Sequence, residues 1–152
     1  PAEAIFQTDL GDLFVIRVAG GCVDSSVIAS IEYAISNFHC NVCVVMSHSQ
    51  CGAIIAALDA VENEKRLPSK NLSKMLRPVM HVIASDDERH SSLDSESKTK
   101  HFTDQATLHQ IERLKNESKI IKKKALQGQL MLVPAQYNIE SGNVDFKLGA
   151  IS

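Results

Sequence analysis

Apolar residues at positions 27, 28, 31, 34, 35 and 38 recur at intervals of three and four, which predicts an amphipathic helix over 24–38 with Asp24, Ser25 or Ser26 as its cap. The pattern then changes. Residues 42–46 are continuously apolar and valine-rich, the mark of a strand covered on both faces in a parallel sheet. Ahead of the helix, residues 13–19 form another apolar run broken only by Arg17; they predict a strand that follows Gly11 and Asp12 and stops at Gly20 and Gly21. A second helix is expected over 52–62. Residues 63–72, with Pro68, Lys65 and Lys70, read as a surface connection.

Positions 72, 75, 76, 79, 80 and 83 are again spaced for a helix, although Pro78 lacks the N–H that a helix interior uses. Residues 85–101 are almost wholly polar and predict an exposed loop or a helix running over the surface. Helical spacing resumes over 103–114, and a short helix over 118–126 is closed by Gly128. A strand over 129–135 follows. Ser141, Gly142 and Asn143 then supply a turn that opens a hairpin or an edge strand within 137–146.

Strands alternating with helices give an α/β class, a central mainly parallel sheet flanked by helices. Three or four strands are few for such a sheet, so one strand is expected to be missing or to come from another chain. With 152 residues and no internal linker, a single domain over 1–152 is expected. A composition of 44% hydrophobic and 22% charged residues excludes a disordered chain, and the formal charge of -2 gives no basic excess for nucleic acid. Lys119, Lys122, Lys123 and Lys124 read as a solvated helix end. No apolar stretch reaches about 18 residues, so no membrane span is expected. Four cysteines, at 22, 40, 43 and 51, do not form a disulfide framework in a chain of this length and favour a reducing compartment or a metal site, with a soluble protein of cytoplasm, mitochondrion or plastid expected. Cys43 lies inside the apolar run and reads as a buried structural thiol.

The chemistry gathers after the 42–46 run, in the stretch VVMSHSQCG. Ligands of parallel α/β sheets collect beyond the carboxyl ends of strands, where His48 and Cys51 stand just ahead of a helix. An imidazole and a thiolate three residues apart suit zinc, and the positive end of a helix suits an anionic sulfur. Two other readings use the same residues: a structural histidine beside a buried cysteine, and a Cys-His nucleophile pair.

The strings GDLFVIRVAGG, SIEYAI and SHSQCGAI, with a late strand followed by Tyr137, Gly142 and Val144 in a Y-x-x-x-x-G-x-V pattern, together resemble the β-class carbonic anhydrases over most of the chain. The resemblance implies a β-carbonic-anhydrase-like sheet and the reversible hydration of carbon dioxide to bicarbonate by zinc-bound hydroxide. It implies His48 and Cys51 as two of three protein ligands to Zn2+. Phe14, Ala19 and Tyr33 match positions lining the apolar pocket for carbon dioxide, and a homodimer or higher homo-oligomer is implied.

The chain also departs from its family. The C-x-D-x-R motif, which supplies the first cysteine ligand and an Asp-Arg pair, belongs ahead of GDLFVIR, and the sequence from Pro1 does not contain it. This chain alone is therefore expected to be inactive, short of its first strand and one ligand, with Cys22 the nearest substitute. The other class of function is a non-catalytic, oligomeric carbonic-anhydrase-like protein without metal. Val18 and Ser47 stand where the family has Asn and Gly, and Pro134 and Asn138 where glycine and aspartate are common.

Overall fold

The computed structural model describes residues 1–86 and 92–147. In chain order the elements are α1 (Ala2–Phe6), a 3-10 turn (Ala19–Gly21), α2 (Ser25–Asn37), β1 (Val42–His48), α3 (Gly52–Glu62), α4 (Lys70–Ala84), α5 (Ser95–Glu117), α6 (Lys119–Leu126), β2 (Met131–Tyr137) and β3 (Val144–Phe146). Among the described residues the sheet has the order β1-β2-β3. β1 and β2 are parallel, in a register that runs from Val42 opposite Met131 to His48 opposite Tyr137, and β3 returns antiparallel to β2. This is the α/β architecture that the alternating patterns imply.

Local chemistry explains most of the boundaries. Asp24 caps α2 by accepting the N–H groups of Ser26 and Val27. Asp94 does the same for α5 through Glu96 and Ser97, so the helix starts at Ser95, inside the polar stretch, and runs 23 residues, about 35 Å. Residues 87–91 of that stretch, His90 among them, lie outside the described residues. Pro78 sits within α4 without ending it, because Leu76, Val79 and Ile83 on either side bury that face of the helix.

The core has two parts joined by α5. One holds Cys22, Cys51, Ile54, Leu58, Leu76, Val79 and Phe102, where α3 and α4 meet the start of α5. The other holds Val27, Ile28, Ile35, Ile111, Leu114, Ile121 and Leu132, with Ile16, Cys43 and Val45 packed against it.

Two expectations need correction. Residues 13–18 are not a strand: the segment makes no ladder, although Val18 has the extended angles φ -134° and ψ 150°. A strand is defined by its hydrogen-bonded neighbour, and none of the described strands pairs with this segment. Nor is β1 covered on both faces. Every β1 residue keeps some solvent contact, whereas Leu132 to Gln136 of β2 are buried, because β1 is an edge in this sheet and β2 is its centre.

Candidate functional site

β1 ends on His48, and α3 begins at Gly52 with Cys51 as the residue before it. Between them only Ser49 and Gln50 turn the chain, and Gln50 takes a left-handed φ of 55°, uncommon for a residue with a side chain. The turn is braced from the opposite strand. The Ser49 N–H donates to the Tyr137 carbonyl at 2.8 Å. The Ser49 hydroxyl accepts the Ile139 N–H at 2.9 Å, and Gln50 Nε2 donates to Glu140 Oε1 at 2.9 Å. The receiving hairpin holds its own shape: Asn138 Oδ1 accepts the N–H groups of Glu140 and Ser141, and Gly142, at φ +73°, closes the turn back onto Asn138.

His48 is exposed, with Nδ1 2.9 Å from the carbonyl oxygen of Ser49. A carbonyl only accepts, so Nδ1 carries the proton and Nε2 is the bare nitrogen of the neutral ring. Cys51 is 7% exposed and joins the cluster of Cys22, Ile54 and Leu76. Gly20 brings the 3-10 turn against that cluster. A Cβ there would stand 3.1 Å from Leu76 Cδ2, 3.2 Å from Ala53 Cβ and 3.3 Å from Cys22 Sγ.

Among the described residues no group of three or more His, Cys, Asp or Glu side chains converges to hold a metal ion. The expectation of a zinc-binding, metal-binding chain is corrected accordingly: a catalytic zinc site takes three protein ligands plus water, and these residues do not assemble one. Cys22 is no substitute. Its thiol donates to the Gly20 carbonyl at 3.7 Å, and burial pushes its pKa up to about 11, with Arg113 pulling down and Cys51 and Asp24 adding to the rise. Among the described residues it joins no group of three donors. Cys43, at the other end of β1, is pushed to about 11 by burial and then by Cys40, but it is half-buried, not the buried thiol expected of it.

Phe14 and Tyr33 are brought together through a third ring. Phe38 stacks at a tilt on Phe14, with centroids 5.9 Å apart, and edge-on to Tyr33 at 5.6 Å. Phe14 is 45% and Tyr33 54% exposed, so the cluster lies on the surface of this chain. Ala19 opens the exposed 3-10 turn that touches β1 and α3. Two concavities lie elsewhere: one of about 210 Å³ is bordered by Asp104, Leu108, Pro134 and Lys147, and one of about 290 Å³ by His81, Ser85, Asp86 and His109. Neither touches His48 or Cys51.

Sequence reasoning passed over Ser49, Gln50 and Glu140. The available signal was a hydroxyl residue beside His48 and a turn-rich hairpin directly after the strand paired with β1.

A profile of the carbonic anhydrase family matches residues 1–144. Carbonic anhydrase 2 of Mycobacterium tuberculosis is 32% identical over 141 residues, covering 93% of this chain, and the chain spans 65% of that relative's length. Among solved structures, the β-carbonic anhydrase CcaA is 27% identical with a TM-score of 0.80, the match covering 96% of this chain and 67% of that one. A structure from work on two tetrameric β-carbonic anhydrases of Sordaria macrospora superposes with a TM-score of 0.86 at 21% identity, over 97% of this chain and 74% of that one, a likeness of fold. Motif, profile and backbone agree along nearly the whole length: this chain belongs to the β-carbonic anhydrase family.

Proposed function

We propose that this chain serves the reversible hydration of carbon dioxide to bicarbonate, contributing His48 and Cys51 to a site that donors beyond its described residues complete. One observation carries the reading. The turn between the two side chains is braced at Ser49 and Gln50, and the imidazole is held with Nδ1 protonated and Nε2 bare, the state a ligating histidine needs. Zinc is the cofactor of the family, and the described residues do not hold it by themselves. In this reading Phe14, Ala19 and Tyr33 offer apolar surface to an apolar, linear substrate. A homo-oligomer covers the ring cluster of Phe14, Tyr33 and Phe38, which is a costly surface to leave in water.

The two-donor site also favours a second reading, a non-catalytic oligomeric member of the family. Stopped-flow hydration assays separate the two. Residues 1–152 alone are expected to hydrate carbon dioxide no faster than buffer. Protein purified at its native length is expected to catalyse, and to lose at least 100-fold on His48→Ala or Cys51→Ala. Full activity in either variant overturns the first reading, and an inert native-length protein establishes the second.

A further inference from the structure

We propose that Ser49 is a positioning residue: it fixes which nitrogen of His48 is bare, and where that nitrogen points, by locking the turn after β1 onto the β2–β3 hairpin. The inference rests on His48 belonging to the functional site, and it names the residue that controls it.

All three polar groups of Ser49 are engaged. Its N–H extends the parallel ladder by one bond to Tyr137, past the pairing of His48 with Tyr137. Its hydroxyl accepts the N–H of Ile139, 90 residues away in sequence. Its carbonyl accepts the proton on His48 Nδ1. The first two bonds hold the Ser49 residue at two points on the hairpin, so the third meets an acceptor that is already fixed. An imidazole without such an acceptor exchanges between its two neutral tautomers, and a fixed carbonyl selects the one with Nδ1 protonated.

The hydroxyl is what makes the anchorage two-point. Without it Ser49 itself keeps only the ladder bond to Tyr137, and the Ile139 N–H loses its partner. A second strap backs the first, since Gln50, in its left-handed conformation, is tied to Glu140 on the same hairpin. His48 itself is exposed, and the hydrogen bond to Ser49 ties its ring to the braced turn.

The test is nitrogen NMR of protein labelled at the histidine ring nitrogens, at a pH of about 8.5 where ordinary imidazoles are neutral. The wild type is expected to show His48 with Nδ1 protonated. In Ser49→Ala the ratio of that tautomer to the other falls about fivefold, the worth of one ordinary hydrogen bond. Ser49→Thr, which keeps the hydroxyl, restores it. An unchanged ratio in Ser49→Ala, or a wild type with Nε2 protonated, overturns the proposal. If Ser49→Ala does not fold, Ser49→Cys decides: it keeps the shape and exchanges the hydroxyl for a weak acceptor, a shift toward the Nε2–H tautomer supports the proposal, and no shift overturns it. The readout needs no turnover, so an inert protein with the expected tautomers fails the functional reading while leaving the role of Ser49 intact.

Discussion

Val23, two residues ahead of α2, donates its backbone N–H to Gln110 Oε1 on α5 at 2.9 Å, and both residues are buried. The carbonyl of the same residue accepts from Arg113 Nη1 at 2.6 Å, one helical turn further along α5. Residues 22–24 have no ladder of their own, so α5 supplies hydrogen bonds that a strand neighbour supplies elsewhere. Gln110→Leu removes the acceptor and leaves a buried N–H unpaired, at about 1–3 kcal/mol, but it also removes Gln110 Nε2, which is buried without a hydrogen-bond partner and offsets part of that cost. Urea unfolding measures the net loss, and a variant more stable than wild type would show that the unpaired Nε2 outweighs the bond to Val23.

Gly20 is predicted to reject any side chain. At φ +68° it sits where only glycine is at ease, and an added Cβ meets Leu76, Ala53 and Cys22 at 3.1 to 3.3 Å. Two of those contacts are with the cluster that also buries Cys51, so the strain is delivered next to the candidate site. Gly20→Ala is expected to destabilise by about 1–3 kcal/mol. Gly21→Ala, at a similar φ but with open space around the position, isolates the backbone share of that loss. Equal losses in thermal melts of the two variants would sink the packing argument.

Helices were legible wherever one face is buried. The spacing of Val27, Ile28, Ala34 and Ile35 is the buried face of α2, and Asp24 caps it as its position suggests. The strand content was harder to read, because apolarity reports burial and says nothing about neighbours. Residues 13–18 and 42–46 look alike in sequence, yet only the second has β2 beside it. At the site, His48 and Cys51 stood out as ligand types, whereas Ser49 works through its backbone as much as its side chain, which no spacing rule reveals. That Cys22 joins no group of three donors among the described residues is a matter of packing, which its place after Gly20 and Gly21 does not reveal.

His109 sets a sign for the response to acid. Its pKa is held below the ordinary imidazole value, first by burial, then by the nearby positive charges of Arg113 and His81, with Glu117 opposing. The unfolded chain therefore takes up this proton at higher pH than the folded one does. The stability that neutral His109 contributes is complete above the ordinary imidazole range and is lost as pH falls through the folded value. Unfolding free energies at pH 8 and pH 5.5 should drop more in wild type than in His109→Gln. A steeper drop in the variant would reverse the sign and refute the assignment.

Val42 gives the clearest test of the bare sheet edge. It opens β1 at 51% exposed, on a strand whose far side no described strand pairs, and an apolar edge of this kind is a template for another copy. Residues 1–152 are accordingly expected to self-associate, with a sedimentation-average mass that rises with concentration. Val42→Lys places a charge on that edge, which a second strand can approach only by desolvating it, so the rise should shrink. The ring cluster of Phe14, Tyr33 and Phe38 is the competing surface, and Phe38→Ser removes its central ring. If Phe38→Ser returns the chain to monomer while Val42→Lys does not, association runs through the rings, and the edge of β1 is not what a second copy covers.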